Sequence, residues 1–104
     1  MDDKPVIDYV LKELMTELSY MSIHLGGDEF RDVVDNVIES LSENPDKKDF
    51  EECARDLGRV YHHLSDLKHG FFAMKALRCV GVLIKLLNGQ EVTKVQMNEL
   101  TAVV

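Results

Sequence analysis

No tryptophan is present, and aromatic residues make up only 7% of the 104 residues. With short loops as well, the chain has little of the ring surface that lines most substrate clefts. Cysteine is scarce: Cys53 and Cys79 stand alone, without CxxC spacing. That excludes a disulfide scaffold and the common zinc motifs. Both fall on apolar helical faces, where a free thiol acts as a small hydrophobe. No long charge-free apolar run occurs. The most apolar stretch, 71–87, carries Lys75, Arg78 and Lys85, so a membrane-spanning helix is not expected. The opening Met1-Asp2-Asp3-Lys4-Pro5 lacks the basic start and continuous apolar stretch of a secretory signal. A cytoplasmic location is the expectation.

Positive charge is also short. Twelve basic residues face nineteen acidic ones, a net charge of −7, so direct binding to nucleic-acid phosphates is not expected. No GxSxG, P-loop or dinucleotide fingerprint occurs, and the serines are scattered. Glu51-Glu52 sits at a predicted helix start, where carboxylates meet the helix dipole favourably without any catalytic role. The expectation is a non-enzymatic protein that needs no cofactor and no metal.

What is present is apolar periodicity. Residues are 45% apolar and 30% charged, the balance of one globular domain over 1–104. Ile7, Leu11, Leu14, Leu18, Met21 and Leu25 recur at steps of four and three, one helical stripe. This predicts a helix over about 5–25, started by Asp2 or Asp3 and stopped by Gly26-Gly27. From Asp28, a candidate cap, Phe30, Val33, Val34, Val37, Ile38 and Leu41 form one face of a second helix over about 28–42. Asn44-Pro45-Asp46 supplies a turn. Phe50, Cys53, Leu57, Val60, Leu64 and Leu67 form the stripe of a third helix over about 47–68, with Gly58 in mid-course at a cost of about 1 kcal/mol. The fourth segment, about 71–87, is apolar nearly all round, which marks a helix buried on more than one side. Its Ala73, Ala76 and Gly81 are small enough for close packing, and Asn88-Gly89 ends it.

These segments predict an all-α fold, an antiparallel four-helix bundle with a short C-terminal tail or fifth helix. The tail, 90–104, ends on Ala102-Val103-Val104 and either folds back over the fourth helix or frays. One alternative concerns the third and fourth helices. Their stripe continues in phase through His69-Gly70 into Phe71 and Met74, which also fits a single long helix in a dimer. Gly70 after Lys68 and His69 favours a stop instead.

His62, Asp66 and His69 lie at i, i+4 and i+7 and could line up on a divalent ion. No fourth ligand is identifiable, and a solvated polar face is expected. The stretch His62-His63-Leu64-Ser65-Asp66-Leu67-Lys68-His69-Gly70 resembles histidine phosphotransfer domains, four-helix bundles with an exposed His followed by Lys-Gly on one helix. In that family the Lys comes three residues after the phospho-accepting His and the Gly directly follows the Lys. Here Lys68 is five residues past His63, His69 intervenes, and Phe71-Phe72 replace the small residues after the Gly. The resemblance covers this stretch alone and implies a phosphoryl relay through His63 or His69.

Charge is segregated. Asp28, Asp32, Asp35 and Glu39 form one row on the second helix, at intervals of about 4.5–6 Å from the helical rise. Phosphates along a nucleic-acid strand have a comparable spacing. One function class is therefore an acidic backbone mimic that inhibits a nucleic-acid-binding protein; the alternative for the row is an ordinary solvated face. The leading expectation rests on the fourth helix: a non-catalytic interaction module (adaptor, small chaperone, immunity protein or inhibitor). Its excess apolar surface, with Phe71, Phe72, Met74, Val82 and Leu86 as candidate contacts, would be covered by a second copy or a client protein.

Overall fold

The apolar stripes become the buried sides of helices in the computed structural model, which describes residues 4–26 and 29–92; Leu67, expected in the third stripe, is instead 49% exposed because the chain has already left the helix there. Four helices follow in order: α1 (Lys4–Leu25), α2 (Phe30–Ser42), α3 (Lys47–Asp66) and α4 (Gly70–Leu87). The described residues hold no strands. The fold is an all-α helical bundle.

Contacts across the bundle fix the helix directions. Ser22 Oγ donates to Asp35 across the α1–α2 turn. The Phe30 ring stacks on His63 at 4.1 Å, placing the start of α2 beside the end of α3. Near the other end of that pair, Ser40 meets Cys53. Glu17 meets Lys75, and His24 stacks on Phe72, so α1 and α4 also run antiparallel. Neighbours touch in a ring, α1 with α2, α2 with α3, α3 with α4, and α4 back to α1. Among the described residues the backbones of the diagonal pairs do not approach within 8 Å, Cα to Cα.

Leu14 and Leu18 of α1, Val34 of α2, Leu57 and Leu64 of α3, and Leu83 of α4 are wholly buried at the centre. Each such aliphatic side chain contributes about 1.5–3 kcal/mol of burial. The closest pair is α3 with α4, where Ala73 and Ala76 are buried at 4% and 0% exposure and let the axes approach. Gly81, expected to share that role, does not. It is exposed, and a Cβ built on it would meet nothing within 4 Å. The same open space surrounds Gly58. Neither glycine is required by packing among the described residues.

Helix ends follow from local chemistry. Asp46 caps α3 with a reciprocal box: its carboxylate accepts from Asp49 N–H at 2.9 Å, and Asp49 Oδ2 accepts from Asp46 N–H at 3.0 Å. The Asp49 N–H, more than any other contact, holds the Asp46 carboxyl below its ordinary pKa. Gly26 at φ +55° closes α1. At the end of α4, Gln90 N–H donates to Lys85 O and Gly89 N–H to Leu86 O, with Gly89 at φ +68°. This is the Schellman arrangement that Asn88-Gly89 foretold. The candidate cap Asp28 and the tail beyond Val92 lie outside the described residues. At the N-cap position of α2 stands Glu29, without a side-chain cap.

The single long helix is ruled out. Helix α3 ends at Asp66, two residues before the expected boundary, and the left-handed residue is Lys68 at φ +61°, not a glycine. His69 N–H reaches Leu64 O at 2.9 Å and Lys68 N–H reaches Ser65 O at 3.0 Å, a second Schellman closure. Gly70, read as the stop of α3, is the first residue of α4. A side chain in this conformation costs about 1–2 kcal/mol relative to a residue without Cβ. Lys68→Gly is therefore expected to stabilise the fold by about 1 kcal/mol. A shift of the urea midpoint to higher concentration at unchanged m would record it, and an unchanged or lowered midpoint would contradict the assignment.

Candidate functional site

Helical geometry places Met74, Leu77, Gly81 and Ile84 at successive three- and four-residue steps, one stripe along α4. That stripe faces outward. Met74, Leu77 and Ile84 are 41%, 41% and 44% exposed. On an ordinary surface helix this face would be polar. Here it has no charge, and Gly81 in the middle leaves a shallow dip. Arg78 and Lys85, seven residues apart, run along the edge of the stripe nearer α1. Both are half-buried. The whole of α4 contains no acidic residue.

Opposite this face α4 holds a buried ion pair. Lys75 is 3% exposed. Its Nζ donates to Glu17 Oε2 of α1 and lies 5.3 Å from the centre of the Phe71 ring. Four residues on, Cys79 is wholly buried. Lys75 and Cys79 look inward, so the opposite arc carrying Gly81 must look out. Around the pair, Tyr20 and His24 of α1 pack against Phe72 at centroid distances of 5.6 and 3.8 Å. Sequence reading gave Lys75 no structural role. The three-residue step from Phe72 and four-residue step to Cys79, both apolar, was the signal that it lies on the inner face.

The expected contact residues separate into three groups. Met74 is on the outer stripe. Phe71 and Leu86 are half-buried against the core. Phe72 and Val82, at 9% and 4% exposure, are covered by the chain itself. Leu77 and Ile84, not among the expected contacts, are on the outer stripe, because the 3.6-residue repeat puts them with Met74 rather than with Phe72. Large apolar residues are also exposed elsewhere: Tyr20 and Ile23, three residues apart on α1, at 56% and 74%, and singly Tyr9 and Leu67.

The other candidate groups do not converge. On α2, Asp32 and Glu39 are exposed. Asp35 between them accepts from Ser22 Oγ and lies 3.8 Å from Arg31 Nε. Asp28 lies outside the described residues. The line of His62, Asp66 and His69 is broken, because the chain leaves α3 at Leu67. His69 sits at the N-cap of α4, edge-on to His24 at 5.3 Å. Among the described residues no group of three or more His, Cys, Asp or Glu is placed to hold a metal. His63 is covered by the Phe30 ring, and Lys68 and Gly70 are off its helix. The arrangement that carries phosphotransfer in the resembling family is not assembled. A shallow depression near the α2–α3 turn, lined by Leu11, Met15, Leu41 and Pro45, holds no acid–base pair.

Both thiols are held in the protonated form by their surroundings. Burial, reinforced by Glu17 and opposed by Lys75, pushes Cys79 up to about 12. Burial, with Asp56, Asp49 and Glu52 nearby, pushes Cys53 up to about 11.

Compared with known proteins, the chain matches no family model, no curated protein and no solved structure. Its functional reading therefore rests on its own surfaces. No helix among the described residues is long and apolar enough to cross a membrane.

Two measurements check the interior that orients α4. Glu17→Gln is expected to destabilise by about 3 kcal/mol, because it strands a buried ammonium. Adding Lys75→Met should recover most of that loss, since it removes the buried ammonium that the amide of Glu17→Gln cannot neutralise. Additive losses in a double-mutant cycle would show that the two groups are not coupled. The second check is pH. Above the ordinary thiol value of 9.0 the unfolded chain releases protons that the folded chain keeps. The stabilisation is complete below pH 9 and is lost as pH rises toward 12. At pH 10.5 Cys79→Ala should have lost about 2 kcal/mol less than the parent, each relative to itself at pH 8. Parallel curves for the two proteins would refute the buried thiol.

Proposed function

We propose that this protein is a non-catalytic helical interaction module whose working surface is the outer face of α4. The observation that carries this reading is the stripe of Met74, Leu77 and Ile84, exposed at 41%, 41% and 44% on a helix with no acidic residue. An apolar stripe on the solvent side of a helix gains nothing for the monomer. Held against another apolar surface, it gains the free energy of dehydration that the core leucines already have. The occupant is a protein partner rather than a nucleic acid or a membrane, given a net charge of −7 that repels phosphate-rich surfaces. Adaptor, small chaperone, immunity protein and inhibitor are all roles such a face can serve, and a cytoplasmic setting suits two free thiols.

The test separates surface from core. Leu77→Asp with Ile84→Asp is expected to keep helix content and melting temperature close to the parent. The same double variant should fail to retain the partner that the parent retains in a pull-down from source lysate, quantified by mass spectrometry. Val82→Asp, a core control, should instead unfold the chain. Equal recovery of the same proteins by parent and double variant would remove α4 as the working surface.

A further inference from the structure

Where α4 ends, the chain is turned back to the bundle rather than released from it. Gln90 N–H closes on Lys85 O and Gly89 N–H on Leu86 O, and Val92 beyond them is half-buried against the core. Residues 93–104 lie outside the described residues. We infer that this segment occupies the outer face of α4 as an amphipathic helix, laid antiparallel along Ile84, Gly81 and Leu77, and that a protein partner must displace it. The docking stands on the segment and the stripe alone; the displacement rests on the reading of α4 as the working surface.

The sequence after Val92 carries a complete helix start. Thr93 and Gln96 stand at the T-x-x-Q spacing of a capping box. Val92 and Met97 take the positions, one before the cap and four after it, that a hydrophobic staple joins. Because Val92 is held against the core, the staple turns Met97 to the bundle side. Leu100 and Val104 follow Met97 at steps of three and four and share that side, while Asn98 and Glu99 fall on the far side. No glycine or proline interrupts 93–104.

Register selects the α4 stripe among the surfaces in reach. Residues 88–92 make a connection of the length that joins antiparallel helices, which sets Thr93 level with Asn88. Met97 then falls beside Ile84, Leu100 opposite Gly81 and Val104 beside Leu77. The two stripes step by three and then four in opposite directions, so the match holds over about 10 Å of helical rise. Leu100 thereby meets the one position of the stripe without a side chain, where among the described residues a Cβ would have nothing within 4 Å. A mid-helix glycine is unfavourable for α4 alone, and seating Leu100 offsets that. Neighbouring surfaces offer no such stripe: Glu52, Arg55 and Arg59 point outward on α3, and exposed Tyr9 of α1 is followed on its stripe by Lys12 and Thr16. A short tether gives the segment an effective concentration on the order of millimolar, so a partner competes with it rather than finding the face bare.

The chain has no tryptophan, so one introduced indole reports on its own site. The experiment uses the full chain carrying either Leu100→Trp or Glu99→Trp, and follows quenching of the indole by iodide. The Leu100→Trp indole is expected to be quenched at least threefold less than the Glu99→Trp indole; equal quenching would overturn the docked helix. Gly81→Glu fills the dip without touching the described core, and should raise quenching of Leu100→Trp at least threefold while leaving Glu99→Trp unchanged. Continued shielding would place the segment elsewhere and overturn its assignment to α4. Shielding is expected to survive hundredfold dilution of a chain that sediments as a monomer. Shielding lost on dilution, or a dimer in sedimentation, would give the face to the segment of a second copy instead. In the parent background, Leu100→Asp should raise binding of the uncharged dye Nile red at least threefold, as the stripe is uncovered, and no rise would overturn the covering role. A shielded indole with no partner captured by parent or Leu100→Asp would leave a fifth helix and remove the interaction reading. Capture that depends on Leu77 and Ile84, with equally quenched indoles, would remove the fifth helix and keep that reading.

Discussion

A helix that is oily around most of its circumference takes only a partial instruction from hydrophobicity about which side to turn inward. In this bundle a buried ion pair lies on the inward side. Lys75 on α4 reaches Glu17 on α1, and the pair is flanked by the Phe71 ring. Burying two charges has a desolvation cost that their attraction roughly offsets. Its contribution is therefore more to uniqueness than to stability. With Lys75 fixed inward, Cys79, Ala76 and Leu83 follow into the core. Met74, Leu77 and Ile84 are left outside. Every property assigned to the outer face depends on that rotation.

The same helix is placed along its length by the joint before it. Because the left-handed turn falls on Lys68, α3 stops early and α4 starts at Gly70. The chain reverses within a few residues, and α4 packs closely along α3, with Ala73 and Ala76 buried. Across the bundle α1 stands farther from α4 and is bridged by long side chains, Glu17 to Lys75 and His24 to Phe72. A wide seam on one side and a tight one on the other follow from alanines facing α3 and large side chains facing α1.

Most of the fold was legible because three of the stripes are regular. Leu11 to Leu25, Val34 to Leu41 and Phe50 to Leu64 each show one apolar arc and one polar arc, and period alone identifies them. The ends were legible where glycine or proline marks them, as at Gly26, Pro45 and Gly89. The joint at Lys68 was not, since a lysine in the left-handed region leaves no compositional trace and His69-Gly70 drew the boundary two residues late. The site was legible only as a property of α4 as a whole. Its excess of apolar residues was plain, but which of them face water depends on the Lys75–Glu17 contact. That contact spans 58 positions of the chain and has no local signature. Phe72 and Val82 therefore looked like surface candidates while Leu77 and Ile84 did not. The divalent-ion line of His62, Asp66 and His69 assumed a helix that continues past Asp66.

The ring arrangement sets α2 diagonally across from α4. Asp32 and Glu39 are exposed on one, while the other has only basic side chains among its charged residues. These two flanks of the bundle therefore differ in the sign of their side chains, acid on the outer side of α2 and base without acid on α4. A charged neighbour is received differently according to the flank it approaches.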